Sequence, residues 1–417
     1  LMEQELVHEL NAYLKPLLMI MDTYPAVAMN PPYMGSGQMN GDLKNYVKEY
    51  YPRSKSDLFA VFMEVGKENT QSGGRLGMIN QHSWMFLSSY EDLRTHVLDT
   101  TLIESMLHMG PHTFDEISGA VVQSTAFTLQ NKLPQGQTGT YFRLVDGNSS
   151  TAKKKAFEAD EHRHNSIKQR DFEKIPGAPI AYWLGQKVID LFEHAKSVGD
   201  YAESEGQNKT GNNKKYLRCS WEVQKDSIGF SHRWVRLAKG GTFRKWGGNI
   251  RYLIDWSEKA RKHYREDRVA RIVIREVWQR QGITWSKVCS GGISFRLLPS
   301  WALCETGGPS IFPVEKLDTD FLLGVLNSKP STNILKTINP TLNFQSEDVK
   351  SLPIPPGAYD ERDHVERISV ECQSTAWEDW NTCETSWDFT QHPLIQQNAP
   401  SLEAAYDAWK AQATDDF

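Results

Sequence analysis

Asn30-Pro31-Pro32-Tyr33 follows the short apolar run Tyr24–Met29, so a polar amide and an aromatic ring stand where a strand should end. Groups of those types at that spacing suit one kind of work, the holding of a flat molecule with an exocyclic amino group. An amide oxygen and a neighbouring backbone carbonyl can accept both N–H bonds of the NH2 and aim its lone pair at an alkyl donor. The ring can stack on the flat face. The two prolines remove backbone donors and fix φ, which stiffens the turn and leaves its carbonyls facing the site. An ordinary strand-end turn would read the same way on these four residues alone, since Asn-Pro and Pro-Pro are common turn formers.

The elements around the tetrapeptide give it a setting. Leu6, Val7, Leu10, Leu14, Leu17 and Leu18 have helical spacing, which predicts a helix over Glu3–Leu18 ahead of the strand Tyr24–Met29. Gly35, Gly37 and Gly41 lie in a loop, after which Ser56 or Asp57 can cap a helix Leu58–Glu68. Gly73-Gly74-Arg75 reads as a turn into a strand Leu76–Asn80. A helix with Tyr90, Leu93, Val97 and Leu98 comes next, then strands around Leu102–Met109 and Gly119–Leu129. This alternation predicts βαβ units and a parallel sheet, whose working crevice lies at the carboxyl ends of its strands. Asn30 falls at such an end.

Residues 148–172 are polar, carry Lys153-Lys154-Lys155 and read as a linker or surface loop. A second region, 173–357, is rich in Trp, Gly and short alternating runs, with a helix around Glu258–His263, another at Asp318–Leu326 and a turn at Asn339-Pro340-Thr341. Residues 358–417 read as an acidic helical spacer with Val365, Ile368, Cys372 and Ala376 on one face. The chain opens without an initiator Met inside one helical pattern and stops inside another that starts near Ser401, so both ends read as cuts through a longer protein.

At 417 residues two or three domains are expected. The net charge of −5 is unevenly spread: Arg233–Arg280 holds fourteen Lys/Arg against five Asp/Glu, and Tyr359–Phe417 holds thirteen acids against three bases. That asymmetry predicts one anion-binding surface and one segment turned away from it. Five cysteines without CxxC spacing argue against zinc and against a disulfide framework, and fit a reducing cytoplasm. No apolar run reaches membrane-spanning length, so a soluble, intracellular chain with no membrane partner is expected. There is no His-Glu-x-x-His, no Walker loop and no nuclease arrangement, and no metal ligands are expected.

The order of these pieces resembles the γ-type amino-methyltransferases, which methylate adenine N6 in DNA. In that family an Asn-Pro-Pro-Tyr turn is followed by an Asp-Leu-Tyr/Phe-x-x-Phe helix, a Gly-Gly strand and a later Phe. Here these are Asn30–Tyr33, Asp57–Phe62, Gly73–Asn80 and Phe114. The strings Asn30–Gly37, Ser56–Met63, Lys174–Trp183 and Asn339–Gln345 further resemble the adenine-specific methyltransferases of bacteriophage-exclusion (BREX) defence systems, over nearly the whole chain. The resemblance implies an α/β fold: a partial Rossmann-like methyltransferase sheet over residues 1–147, then an α+β target-recognition domain and a helical C-terminal segment.

By that resemblance the catalytic residues are Asn30, Pro31, Pro32 and Tyr33, with Asn30 and the Pro31 carbonyl orienting the amino group. Tyr33 and Phe114 would stack on a flipped adenine, with Phe114 four residues before Ser118-Gly119-Ala120. Asn30, Phe59 and Phe62 would meet the cofactor, S-adenosyl-L-methionine. The family's glycine-rich loop for that donor should lie upstream of Asn30, where only 29 residues stand and none supplies Gly-x-Gly after a strand, so this fragment alone is expected to be inactive. Double-stranded DNA is the implied partner, with other phage-defence proteins, and Arg244, Lys245, Trp246, Asn249, Arg251, Lys259 and Ser286 are candidates for DNA contact. Two other readings use the same residues: an amino-methyltransferase acting on RNA or protein, and a non-catalytic DNA-binding or docking module.

Overall fold

A computed structural model describes residues 2–114, 122–204, 206–289, 292–314, 319–339 and 342–415, with side chains from Leu10 onward. The expected strand residues 119–121, Asp318 and the Pro340-Thr341 pair lie outside the described residues. The chain forms two compact units, Leu1–Glu193 and His194–Phe417.

The first unit contains α1 (Met2–Met21), β1 (Tyr24–Met29), α2 (Gly41–Tyr50), α3 (Leu58–Glu68), β2 (Thr70–Gln81), α4 (Glu91–Thr100), β3 (Leu102–Gly110), β4 (Ser124–Gln130), β5 (Thr140–Arg143), α5 (Ser150–Glu158) and β6 (Arg163–His164). Its sheet runs in the order β1-β2-β4-β3-β5-β6. β1 pairs parallel with β2 and β3 parallel with β5, while β4 is antiparallel to both its neighbours. The sheet is therefore mixed rather than parallel throughout. Two antiparallel steps restore direction, so β1, β2, β3 and β5 all present their carboxyl ends on one edge.

Asp57 starts α3: its backbone is extended and its side chain accepts from Phe59 N. The helix buries Phe59, Ala60, Val61 and Met63, and seats close on β2 at Gly66, where a Cβ would lie 2.8 Å from Leu76 Cδ1. β2 begins at Thr70, earlier than the Gly-Gly pair suggested. Gly73 takes φ +78 within the strand, and the β1–β2 register slips between Tyr24 and Ala26, so the pair marks a bulge inside the strand rather than a turn before it.

Residues 148–172 are not a linker, and 173–193 belong to the first unit. Ser149 caps α5, and β6 joins the sheet against β5. Gln169 is buried, donating to Leu98 O and Thr101 O and accepting from Ile103 N. The strap Lys174–Leu184 follows. Ile180 N donates to Met85 O, and Tyr182 stacks on Tyr141 at 4.8 Å and 10°. Ile167 and Phe172 are buried, and the buried polar groups Lys153 and Gln169 spend their donors on main-chain carbonyls, so a polar composition here does not mean a solvated loop.

The second unit has two four-stranded sheets. One is ordered Ala302–Cys304, Trp234–Ala238, Tyr252–Asp255, Leu217–Cys219; the other Phe295–Leu298, Gly282–Trp285, Ser310–Pro313, Ala202–Glu203. Val235, Leu237, Ile254, Trp256, Tyr264 and Phe312 fill its main core. Helix Thr319–Asn327 meets helix Arg362–Asn381 at Gly324, where a Cβ would lie 2.6 Å from Val365 Cγ1. Gln373 Nε2 donates to Asp320 Oδ1 across that contact. The start of the acidic segment is thus a packed helix rather than a free spacer.

Candidate active site

Asn30 leaves the carboxyl end of β1 with its side chain exposed, Pro31 is buried, Pro32 is exposed and Tyr33 is half-buried. What holds this corner is Asp57. Its Oδ1 accepts from Met34 N at 2.9 Å as well as from Phe59 N at 3.2 Å, so one carboxylate both caps α3 and anchors the residue after Tyr33. Leu58 N donates to Met34 O and Ser36 N to Ser56 O, closing the loop onto the helix start. The Tyr33 ring meets Phe59 edge-on at 5.9 Å and 78°, and Phe59 in turn contacts Tyr90 at 5.6 Å. Burial, then the nearby Asp57 carboxylate, push the Tyr33 phenol's pKa up, so it stays neutral.

Phe59 is fully buried and serves as the support beneath Tyr33 rather than as an open wall. Phe62, one helical turn on, is half-buried and remains accessible. Phe114 is 37% exposed and follows the end of β3. Three strand spacings, about 14 Å, separate β1 from β3, so Phe114 can meet a ligand held at Asn30 only by leaning back along the edge.

Asp57→Ala should remove both bonds, costing roughly 1 kcal/mol of helix-cap stability and loosening the Asn30–Tyr33 corner. Loss of about 10- to 100-fold in the activity proposed below is expected. Asp57→Asn keeps an acceptor oxygen and should retain most of it. Equal rates for the two variants in a turnover assay would show that the anchor does not matter.

The same carboxyl edge holds a polar row, buried except at its Arg143 end, that the sequence reading did not find. Asn80 lies opposite Thr125, Thr125 opposite His108, and His108 opposite Arg143, across β2, β4, β3 and β5. His82, just past β2, contacts His108, Nδ1 to Nε2, at 2.8 Å. Phe86 and Trp183 flank His108, the latter stacked at 5.7 Å and 29°, and Arg143 lies over Trp183. His108 Nδ1 has no hydrogen-bond partner among the described residues. An orphan lone pair there is cheaper than an orphan N–H, which assigns His108 Nε2–H as donor and His82 Nδ1 as acceptor.

Burial lowers the His82 pKa to about 4 and pushes that of His108 well down, with His82 and Arg143 adding to the effect. Both are therefore neutral at pH 7. A folded pKa below the ordinary value of about 6.5 means that the unfolded chain binds more protons at acid pH. The first unit should accordingly lose stability as pH falls from about 6.5 toward 4, and the double variant His82→Gln/His108→Gln should blunt that loss. Thermal unfolding midpoints across this range test it. Parallel curves for the two proteins would contradict it.

The candidate DNA contacts fare unevenly. Arg244 pairs with Asp379 and lies over Trp380 at 5.3 Å. Lys245 Nζ donates to Asn327 O, Asn249 is buried and donates to Thr242 O, and Ser286 is buried with its hydroxyl on Gly241 O. Trp246 is half-buried, its backbone paired against Phe295–Leu297. Arg251 and Lys259 stay at the surface, Arg251 against the Tyr252 ring. Most of these polar groups thus satisfy the protein itself.

Three groups of known proteins resemble the chain. Residues 9–114 match the family described as Eco57I restriction-modification methylase. The adenine-specific methyltransferase PglX of Lacticaseibacillus casei (strain Zhang) is 38% identical over 421 residues, covering 94% of this chain and 35% of that protein. The adenine-specific methyltransferase BrxX of Escherichia coli O9:H4 (strain HS) is 36% identical over 400 residues, covering 94% of this chain and 32% of that protein. Among solved structures, the Type IIL restriction-modification enzyme MmeI in complex with DNA superposes with a TM-score of 0.52 at 11% identity, covering 93% of this chain and 53% of that one. The Type ISP enzyme LlaGI with a DNA substrate mimic also gives 0.52, at 10% identity, covering 88% and 42%. At such low identity the two structures speak to the fold alone. No helix of the described residues is long and apolar enough to cross a membrane. The chain spans about a third of the length of the curated relatives it matches, and over 94% of its own length it is homologous to the adenine-specific methyltransferases PglX and BrxX.

Proposed function

We propose that this chain supplies the catalytic corner and the DNA-reading unit of a site-specific DNA adenine-N6 methyltransferase in a prokaryotic phage-defence system. The observation that carries the reading is the Asn30–Tyr33 turn, open at the carboxyl end of β1 and pinned from behind by Asp57. The kinship to PglX and BrxX supports the substrate and the reaction class.

Adenine N6 is a poor nucleophile because its lone pair is delocalised into the ring. Asn30 Oδ1 and the Pro31 carbonyl accept its two N–H bonds and draw the nitrogen toward tetrahedral geometry. Tyr33, backed by Phe59, offers a face for the extruded base, which offsets part of the few kcal/mol needed to unstack it. The same two oxygens stabilise positive charge developing on the nitrogen, and the surplus proton then passes to water. S-adenosyl-L-methionine supplies the electrophilic methyl. The accessible Phe62 ring and the exposed Asn30 amide fit a flat, polar donor at this edge, whereas buried Phe59 does not. The enzyme works where the cell's DNA is, in the cytoplasm.

A methyltransferase of RNA or protein could use the same corner. The basic stretch Arg233–Arg280 within the second unit and the likeness to a fold solved in complex with DNA favour the duplex. Incubating the whole protein with S-adenosyl-L-methionine and duplex DNA, then mapping N6-methyladenine, tests this reading. Methylation of RNA or protein instead would overturn the substrate.

A further inference from the structure

The second unit contains a cleft of about 650 Å³ that none of the residues singled out for DNA contact explains, Ser286 at its edge excepted. Its walls come from five separate segments and include Lys209, Lys239, Lys287 and Glu305. Its floor is backbone. A Cβ on Gly240 would lie 2.5 Å from Gly307 O, and one on Gly307 would lie 2.8 Å from Lys239 O. Gly240 and Gly241 have φ of +76 and +141, conformations that glycine adopts freely. Two loops therefore touch main chain to main chain.

The charge at the cleft is lopsided. Its single carboxylate, Glu305, is buried and fully engaged: one oxygen pairs with Lys239 Nζ at 3.1 Å and the other accepts from Gly307 N at 2.8 Å. Lys239 is thereby held in place at the wall. Lys209 and Lys287 have no carboxylate partner among the described residues. Lys209 stands across an antiparallel bridge from Arg271, so both side chains leave the same side of that pair. Exposed Val269 and Val288 add apolar surface to the lining.

Unpaired lysines above a glycine floor make an anion seat. Its size falls in the range of a whole ligand site rather than a single-ion niche. Lysine ammonium groups on flexible stems suit a run of phosphates better than one planar acid. Apolar valines beside the charges suit the sugars between phosphates.

We propose that this cleft, through Lys209, Lys239 and Lys287, holds backbone phosphates of the DNA duplex on which the enzyme acts. The inference rests on the DNA reading above. It moves the main electrostatic contact away from Arg244 and Lys245, whose charges are already used within the protein.

The test is duplex binding by the whole protein, followed by fluorescence anisotropy across a salt series, with Lys209→Ala, Lys287→Ala and the double variant. Lys154→Ala, on exposed α5, is the matched control. Each phosphate contact contributes about 0.9 to the slope of log K against log salt. The double variant should flatten the slope by roughly 2 and weaken binding at least about tenfold near 0.1 M salt, with Lys154→Ala unchanged. Unaltered melting curves would exclude unfolding as the cause. Wild-type slope and affinity in the double variant would overturn the proposal while leaving the DNA reading intact. A wild-type protein that binds no duplex would remove both. A second arm titrates inorganic tripolyphosphate without DNA: binding lost in the double variant, with duplex affinity untouched, would identify a free-polyphosphate site and overturn the duplex assignment.

Discussion

Asn30→Ala in the whole protein should lower methylation of duplex DNA by at least about 10²-fold, the usual scale for losing one preorganised polar contact at a developing charge. DNA affinity should change little. The side chain is exposed and makes no hydrogen bond among the described residues, so its loss leaves no buried group stranded and no cavity. That separates this substitution from a general destabilisation. Pro31 stays buried, Tyr33 keeps its contact with Phe59, and the Asp57 bond to Met34 N is untouched. The rate should therefore fall at saturating DNA, in kcat rather than KM, because only the geometry of the amino group is altered. Asn30→Asp retains an acceptor oxygen but adds a charge beside the developing cation, and should keep more activity than Asn30→Ala. If Asn30→Ala methylates at the wild-type rate, the corner is not the catalytic site.

Local signals made that corner readable. β1 and α3 have the bounds expected of them, because an apolar run stopped by Asn-Pro-Pro and a helix opened by an Asp cap are both written in adjacent residues. The second bond of Asp57, to Met34, was not legible: nothing in the order of residues says that a helix cap also reaches a turn 23 positions back. The His82–His108 pair escaped for a similar reason. Each residue ends a different strand, and only the β2-β4-β3 order brings them together. Charge misled in the second unit, where Arg244 is neutralised by Asp379 from a distant helix. The cleft lysines lie in three unrelated loops, so no local run of charge announces them. Short-range grammar locates elements and caps, whereas long-range pairing decides which polar groups remain free.

The largest effect on stability should come from Arg94→Ala. Arg94 lies on α4 and is almost completely buried, yet no carboxylate bonds its guanidinium. Carbonyl oxygens do instead. Nη1 donates to Trp84 O at 3.0 Å and Leu87 O at 2.7 Å, Nε to Gly177 O at 3.0 Å and Ala178 O at 3.2 Å, and Nη2 again to Gly177 O. Burial lowers its pKa to about 10, opposed by nearby Glu91, and it stays charged at neutral pH. One side chain thus ties α4 to the turn after β2 and to the strap Gly177–Ala178. That strap goes on to Tyr182 and Trp183, the rings that cover Tyr141 and His108. Alanine would take the guanidinium from four carbonyls, of which Leu87 O keeps the Tyr90 N–H, and leave a void, so a loss of roughly 3–5 kcal/mol is expected, a large share of the roughly 5–15 kcal/mol that holds a domain together. Arg94→Lys has three donors for four acceptors and should lose about half as much. Hydrogen exchange gives the specific readout. Ile180 N, which donates to Met85 O, should exchange faster in Arg94→Ala than amides within β4, because the strap lifts before the sheet opens. Unfolding within about 1 kcal/mol of wild type would mean that water replaces the guanidinium at those carbonyls, and the strap would then have to be held by its aromatic contacts alone.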